Sequence, residues 1–490
     1  MKNLGIDLSA YEQFGTGFGV ESAQTVAELN KAMSVGHLLG TDPSATSAGS
    51  LKVESLEKTL VNLEFKEQDL ALWQKVPKSP AYSTVEQYER LESYGNVSGF
   101  FEEGGLPEEN STSYSRQSQF VKYIGETRSV THQAQLIRAL VDIVRQEIKS
   151  GTMTVLRAAD YYLCKGDADV VPVQFDGFYK QQKDYFATLD LWQDSLSVID
   201  LRGSYLKEEN VEQGNENLIN NNSYGDLLMA PTAVISGFVK QFYSKKLIQP
   251  NTAQVSNAYM GQRVQGVETS FGRIDFGYDK FMRENPARFT TDNATSTKAP
   301  ASPVADGSTP KAVATDTLNR FAAAYAGDYY YGVAAINQYG ESAVVALGSA
   351  LLTVGATQSV DLKFTAGSGT YVATGYVIYR SEKTPTTLVA ATKLYPIFQV
   401  STAQLAAGYD GGAAGLIRDR NRFISNTSKC LLIENAEEVW TVRQLAPLMK
   451  MDLARLSTAD RFVVLMYITP ILKAPGKMVQ IINIGAYSAN

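Results

Sequence analysis

The longest regular pattern of apolar and polar positions runs from Ser129 to Cys164. Apolar residues recur there at four-residue intervals, and charged residues fall largely on other faces. The segment contains no proline, and the apolar pattern resumes after Gly151. This pattern predicts one long amphipathic helix that lies across a domain. Its apolar positions include Leu136, Leu140, Val144, Ile148, Val155 and Leu156.

Before this helix, two segments with strand-like composition flank an acidic turn. The segments are Val97–Phe101 and Tyr114–Ile124, and the turn region Glu102–Asn110 contains glycine, proline and glutamate. This order predicts a long hairpin with an acidic tip. Because a hairpin has little core of its own, we expect it to be stabilised by lying on another subunit.

Beyond the helix, the pattern changes from element to element. Asn215–Asn222 is polar and predicts a loop, whereas Pro231 suits a first helical turn and is followed by apolar residues at four-residue spacing. Arg273–Phe281 alternates apolar and charged residues, which predicts a half-buried strand. Cys430–Ile433 predicts a buried strand, and Arg461–Asn483 is an apolar terminal block.

A change of composition at about Pro286 marks a separate segment. Residues 290–310 have the composition of a linker, and short β-branched and aromatic runs then alternate with glycines up to Gly415. This arrangement predicts a small β-sandwich over 297–416 that interrupts the domain on either side. Its predicted strands are Tyr329–Ile336, Ser342–Leu347, Val360–Thr365, Tyr376–Tyr379 and Leu388–Ala391.

Composition and charge narrow the classes of function. A length of 490 residues predicts two or three units. The net charge of -6 does not favour a nucleic-acid-binding surface over the whole protein. No apolar run is long enough to span a membrane, and polar residues interrupt any signal-peptide pattern, so we expect a cytoplasmic location and no membrane. Arg418, Arg420 and Arg422 are expected on solvated faces or in subunit contacts.

No set of residues with catalytic spacing is present. Only two histidines exist, His37 and His132, and neither a nucleophile elbow nor a phosphate-binding loop occurs. Cys164 and Cys430 are expected to be buried and unreactive. We therefore predict no catalytic, cofactor-binding or metal-binding residue, no cofactor, and no enzyme activity. The paired acids, which are Glu102 with Glu103, Glu108 with Glu109, Asp167 with Asp169 and Glu437 with Glu438, are interpreted as solvated charge. The tryptophans Trp73, Trp192 and Trp440 are interpreted as core or interface anchors.

Part of the predicted sandwich resembles a known domain family. The run from Tyr329 to Ser342, read as YYYGVAAINQYGES, is similar to a strand pair of fibronectin type III domains. Val360–Phe364 and Thr374–Arg380 are similar to two earlier strands of that family, but here they come later in the chain. The resemblance implies an Ig-like sandwich, and such modules usually bind or decorate surfaces.

The order of elements resembles the major capsid proteins of tailed bacteriophages, with the HK97-like fold. Phe175–Phe178 is similar to a turn that follows their spine helix, and Asp460–Ile484 is similar to their C-terminal strands. The resemblance implies an α+β fold with an N-terminal arm, an E-loop hairpin, a spine helix, and peripheral (P) and axial (A) domains. The corresponding segments are the arm over 1–50, the E-loop and its flank over 51–128, the spine helix with parts of both domains over 129–296, the inserted sandwich over 297–416, and the returning capsid domain over 417–490.

The resemblance implies a function in assembly. Copies would form the pentamers and hexamers of an icosahedral head around double-stranded DNA, in a virion assembled in the host cytoplasm. Portal, scaffold and other head proteins are the implied partners, with packaged DNA on the inner face and the insert on the outer surface. Two alternatives stay open: another virion protein, such as a tail-tube or decoration subunit, and a carbohydrate-active enzyme that carries a fibronectin-like module.

Overall fold

The computed structural model describes residues 64–95, 99–106, 108–136, 142–242, 265–282, 286–308, 310–313, 316–384, 392–455 and 457–487. The predicted arm over 1–50 and the predicted strand Leu388–Ala391 lie outside these residues. The described chain combines helices with mixed sheets, so the predicted α+β class is confirmed. None of the described helices has the length and apolar character needed to cross a membrane.

The first sheet has four strands that come from distant parts of the chain. Their order is β1 (Lys78–Pro80), β20 (Trp440–Asp452), β21 (Ala459–Leu472) and β4 (Lys122–Thr131). The pair of β1 with β20 is parallel, and the other two pairs are antiparallel. Strands from the C-terminal part therefore complete a sheet whose outer strands precede the long helix.

The long helix α3 (Ile143–Lys165) packs on this sheet and is about 35 Å long at 1.5 Å per residue. Asp142 caps it by accepting hydrogen bonds from the N–H groups of Val144 and Arg145 at 3.0 and 3.3 Å. The buried side of α3 shares a hydrophobic cluster with β20 and β21. The cluster includes Val155, Ala159, Leu163, Trp440, Val464 and Met466.

The predicted start of this helix at Ser129 is wrong. Residues 129–131 belong to β4 and pair with 459–461 of β21, because the sheet satisfies their backbone groups. A short helix α2 (His132–Leu136) follows β4 directly. The predicted apolar position Leu140 lies outside the described residues.

The second sheet has six strands and is covered on both faces. Its order is β5 (Val198–Asp200), β22 (Met478–Ile484), β19 (Ser428–Ile433), β6 (Leu227–Pro231), β8 (Gly272–Asp279) and β7 (Gly266–Thr269). Leu431 and Ile433 face the cluster of α3, whereas Cys430 and Leu432 face a separate cluster. Burial on both faces explains the continuous apolar run predicted as a buried strand, which is confirmed.

Two helices cover the far side of the second sheet. The helix predicted after Pro231 is confirmed as α7 (Thr232–Lys240), but the loop predicted over 215–222 is wrong, because α6 (Glu208–Asn220) occupies most of it. Buried Asn215 donates to Thr269 Oγ1 at 2.7 Å and accepts from the Gly225 N–H at 3.1 Å. Tertiary partners thus satisfy polar side chains that in sequence indicate a loop.

Residues 304–419 form two larger sheets around a shared core, and a third, two-stranded sheet pairs Val304–Ala305 with Phe364–Thr365. One contains β12 (Gly340–Glu341), β11 (Gly327–Asn337), β16 (Gly375–Arg380) and β17 (Tyr395–Ser401), with β13 (Val345–Val354) also paired to β11. The other contains β10 (Lys311–Val313), β14 (Ser359–Leu362) and β18 (Ile417–Asp419). The predicted strands Tyr329–Ile336 and Tyr376–Tyr379 lie within β11 and β16, so both are confirmed.

Two observations connect this segment to the rest of the protein. Strand β18 pairs with β14, so the sheet continues past the predicted boundary at 416. The core of the segment also contains Trp192, Val198 and Ile482 from outside it. Shared burial, which local composition does not reveal, makes the segment continuous with the body.

The remaining elements are β2 (Val85–Ser93), β3 (Ser113–Phe120), α1 (Ala71–Lys75), α4 (Phe178–Tyr185), α5 (Leu189–Gln193), β9 (Val304–Ala305), β15 (Phe364–Thr365) and α8 (Thr402–Ala407).

Candidate assembly surfaces

A two-stranded hairpin projects before the long helix. Strands β2 and β3 pair antiparallel from Val85 with Phe120 to Ser93 with Ser113. No other described strand joins them. The predicted hairpin is confirmed, but its first strand is β2 rather than 97–101, of which 99–101 are not in a strand. The second predicted strand is divided at buried Val121, because β3 pairs with β2 whereas β4 pairs with β21 in the first sheet.

Alternate side chains of β2 fasten the base of the hairpin to the body. The hydroxyl of Tyr88 donates to the Leu472 carbonyl at 3.3 Å, and Arg90 Nε donates to the Lys473 carbonyl at 2.8 Å. The Arg90 guanidinium also lies 5.1 Å from the ring centre of Tyr185. Because Tyr88 and Arg90 are two residues apart in a strand, they lie on one face of β2 and hold that face against the body.

The hairpin tip is a turn that carries exposed apolar side chains. The Gly105 N–H donates to the Glu102 carbonyl at 2.9 Å, and Gly104 has a φ of +83°, which glycine adopts without a steric penalty. Phe100 and Leu106 are 110% and 93% exposed. An exposed apolar patch of this kind marks an interaction surface. Exposed large apolar residues along the hairpin and its flanks are Tyr82, Leu91, Tyr94, Phe100, Phe101, Leu106, Tyr114, Phe120 and Tyr123.

The Phe-Asp-Gly-Phe motif after α3 closes the C-terminal end of that helix. The N–H of Gly177 donates to the Gly166 carbonyl at 2.8 Å, and Asp176 Oδ1 accepts from the Ala168 N–H at 2.9 Å. A Cβ added at Gly177 would lie 2.7 Å from backbone atoms of Cys164. The motif therefore has a structural role, in which glycine permits close backbone approach.

A cluster of arginine–aspartate ion pairs joins residues 304–419 to the body. Arg418, Arg420 and Arg422 belong to this cluster, so the prediction that they lie on solvated faces is wrong. Buried Arg422 pairs with Asp190 of α5 and, at 2.8 Å, with Asp410. Arg420 pairs with Asp316 at 2.7 Å. Their charges are neutralised within the chain, so they do not form a solvated basic face. The other pairs in the cluster are Arg418 with Asp361 and Arg380 with Asp419.

Two buried carboxyl groups meet the first turn of α1. Asp160 Oδ1 accepts from the Trp73 N–H at 2.7 Å, and Asp279 Oδ2 accepts from the Leu72 N–H at 3.0 Å. Desolvation, with the added repulsion of Asp279, raises the pKa of Asp160 to about 9. The two neighbouring carboxyl groups therefore hold a proton between them at neutral pH. These side chains fasten α1 between the long helix and β8.

The candidate chemical residues do not assemble into a catalytic or metal site in the described part of the chain. His132 is exposed, and His37 lies outside the described residues. Residues 64–487, with the stated gaps, hold no cluster of three or more His, Cys, Asp or Glu able to bind a metal ion. Both cysteines are buried, and burial raises the pKa of each thiol.

The structure also shows where the tryptophans and some of the paired acidic residues lie. Trp192 and Trp440 are buried, and Trp73 packs against the core. Glu437 and Glu438 are exposed, as the interpretation of solvated charge requires. Asp167 differs, because burial raises its pKa above the usual range. Its side chain accepts from the N–H groups of Asp169 and Val170, a local turn that the sequence spacing did not indicate.

Comparison with known proteins gives relatives that match nearly the whole chain. The chain is 24% identical over 476 residues to a putative major capsid protein of Enterococcus phage phiEF24C, covering 93% of this chain and 94% of the relative. It is 21% identical over 460 residues to the major capsid protein of Staphylococcus phage K, covering 91% and 92%. No family model matches the chain. The prediction of a shell-forming bacteriophage capsid protein is confirmed by these relatives.

Solved capsid structures also align with the chain. The capsid of a native GTA particle aligns over 92% of this chain and 100% of its own, with a TM-score of 0.47 and 7% identity. The capsid of Myoviridae phage XM1 aligns over 90% and 99%, with a TM-score of 0.39 and 10% identity.

Proposed function

We propose that the chain is the major capsid protein of a tailed phage and assembles into pentamers and hexamers of an icosahedral head enclosing double-stranded DNA. The supporting observation is similarity over more than nine-tenths of the chain to proteins named as major capsid proteins. A shell subunit needs large complementary surfaces, and the hairpin supplies an exposed apolar one. No enzyme activity is required by this role.

We further propose an HK97-like organisation for the described elements. The hairpin β2–β3 corresponds to the E-loop, α3 to the spine helix, and the first sheet to the peripheral domain on which α3 packs. The second sheet, with α6 and α7, corresponds to the axial domain. Residues 1–50 correspond to the arm. Residues 297–419 correspond to an Ig-like insert on the outer surface, extended from 416 because β18 pairs with β14.

The proposed partners follow from that organisation. Other copies of the chain form the shell, portal and scaffold proteins act during head assembly in the host cytoplasm, and packaged DNA contacts the inner face without sequence-specific binding. A tail-tube or decoration subunit would share an absence of catalytic residues but lacks the support of full-length capsid relatives. A carbohydrate-active enzyme would need a carboxylate pair across a cleft.

Electron microscopy tests the proposal. The chain is expressed alone and, if it remains as capsomers, together with its scaffold and protease. Closed shells or rings of five and six subunits are expected. A persistent monomer under both conditions would contradict the proposal and favour the enzyme, whereas helical tubes would favour a tail protein.

A further inference from the structure

A cleft lies between the body and residues 304–419, where the C-terminal end of α3, helix α4 and strand β17 come together. Its cavity volume is 160 Å³. A single water molecule needs only about 10–15 Å³ of such volume. The cleft therefore has room for a ligand of several atoms.

Four aromatic rings form one continuous wall of the cleft. The rings of Phe398 and Tyr409 stack with centroids 5.2 Å apart and an interplanar angle of 23°. The ring centroid of Phe423 lies 6.4 Å from that of Phe398 and 6.1 Å from that of Trp192. Because this wall is apolar, a hydrogen bond or a charge contact made beside it is stronger than one on the open surface.

Two buried polar groups of this wall have no hydrogen-bond partner among the described residues. They are the Nε1–H of Trp192 and the hydroxyl of Tyr409, whose residues are 2% and 7% exposed. Both residues line the cavity. Buried donors of this kind normally have an acceptor. A ligand with acceptor oxygens would supply what the chain itself does not.

Ammonium groups from different elements surround the wall. Lys183 Nζ of α4 lies 5.7 Å from the ring centre of Tyr409, and Lys429 Nζ of β19 lies 4.8 Å from that of Phe423. Lys165, at the end of α3, also lines the cavity. These positions give the cleft an excess of positive charge, which favours an anion.

The acidic residues near the cleft make contacts within the chain. Asp167 is the only acidic residue among the described lining residues, and its Oδ1 accepts from the N–H groups of Asp169 and Val170 at 3.0 and 3.3 Å. Lys180, a further lining residue, pairs with Asp169 at 2.6 Å and with Asp184 at 2.5 Å. The attraction for an anion therefore comes mainly from the other lysines.

We infer that this cleft binds a small anion through a phosphate group. Lys183 and Lys429 attract the anion, while the Trp192 indole and the Tyr409 hydroxyl donate hydrogen bonds to its oxygens. A phosphate group carries a charge of about −1.5 to −2 at pH 7 and at least three acceptor oxygens. It therefore suits donors that converge from several elements better than a carboxylate with two oxygens does. Free inorganic phosphate and a nucleotide share this chemistry.

Isothermal titration calorimetry of the full chain with sodium phosphate tests the site. In a phosphate-free buffer of constant ionic strength, saturable binding of one phosphate per chain is expected. Tyr409→Phe removes only the hydroxyl and Lys183→Gln removes the charge, and each is expected to weaken binding about tenfold. The matched controls are Tyr339→Phe and Lys149→Gln, at exposed positions outside the cleft, which should bind as the native chain does.

Melting temperatures show whether each variant folds, and a single folded cleft variant is sufficient for the comparison. Absence of saturable binding by the native chain, or equal binding by the cleft variants and their controls, would overturn the site. Sodium acetate bound as tightly as phosphate would overturn the assignment to a phosphate group.

Thymidine monophosphate, titrated in the same way, distinguishes the two sources of the phosphate group. Affinity above that of inorganic phosphate would support a nucleotide, and equal or lower affinity would support free phosphate. The site lies within one chain, so its failure in these measurements would leave the proposed shell function uncontradicted.

Discussion

Arg380 and Asp419 form an ion pair that is closed to solvent. Arg380 Nη1 lies 2.6 Å from Asp419 Oδ2, and the two side chains are 1% and 2% exposed. Arg380 Nη2 also donates to Asn421 Oδ1 at 2.7 Å, and Asp419 Oδ2 accepts from the Tyr331 hydroxyl at 2.9 Å. Because both side chains are buried, the pair fixes the end of β18 to the end of β16 in the five-stranded sheet.

Replacing Arg380 by leucine is expected to lower the free energy of unfolding by about 3–5 kcal/mol, because Asp419 keeps a buried charge without its partner. Urea denaturation of the full chain measures the loss. The control is Arg116→Leu, which removes an exposed pair with Glu89 and should cost about 0–1 kcal/mol. Equal losses in the two variants would show that the buried Arg380–Asp419 pair contributes no more to stability than an exposed ion pair.

Asp160→Asn is expected to change how stability depends on pH. The pKa of Asp160 is about 9 in the folded chain against 3.8 for an unperturbed aspartate. Between these values the folded state holds a proton that the unfolded state has released, so the free energy of unfolding falls as pH rises. The fall approaches about 1.4 kcal/mol per pH unit for one proton.

Asparagine removes this proton while its carbonyl can still accept from the Trp73 N–H. The variant should therefore gain stability relative to the native chain between pH 5 and pH 8, measured by thermal unfolding at each pH. Glu437→Gln, at an exposed carboxylate, is the control and should follow the native trend. A difference between Asp160→Asn and the native chain that stays constant with pH would refute this titration.

Replacing residues 102–110 by a two-residue Asn-Gly turn is expected to reduce shell formation far more than folding. The tip packs on no core cluster of the described residues, so its loss leaves the body intact. Shell yield by electron microscopy and the melting temperature give the two readouts. Val372→Ser, at a side chain 79% exposed in the 304–419 segment, is the control and should assemble normally. Native shell yield from the shortened hairpin would exclude this role for the tip.

Gly177→Ala is expected to destabilise the chain by about 1–3 kcal/mol, because the new methyl group meets backbone that cannot move aside. The added Cβ would lie 2.7 Å from the carbonyl carbon and oxygen of Cys164. Gly476→Ala is the matched control, since nothing lies within 4 Å of its Cβ position. The melting temperatures of the two variants should differ by about 1–3 °C, because the unfolding entropy of a chain this long is about 1 kcal/mol/K. Coincident values would remove the packing explanation of the motif.

The sequence alone was sufficient to predict those helices and strands whose buried side chains form a local apolar pattern. Apolar residues recur at helical spacing in the helix after Asp142 and in the helix after Pro231, and each helix buries one face. The strand at Cys430–Ile433 is apolar throughout, and it is buried on both faces. The absence of histidine pairs and nucleophile motifs likewise argued against common catalytic sites without any coordinates. The sequence also indicated an exposed acidic turn at Glu102–Asn110.

Long-range pairing decided what local patterns left open. Ser129–Thr131 became strand because β21 supplied partners, and Asn215 entered a helix because Thr269 and Gly225 satisfied its side chain. The arginines around Arg420 became buried because aspartates distant in sequence neutralise them. The free energy of a charge or an amide depends on which groups surround it after folding, and residue order alone does not specify those neighbours.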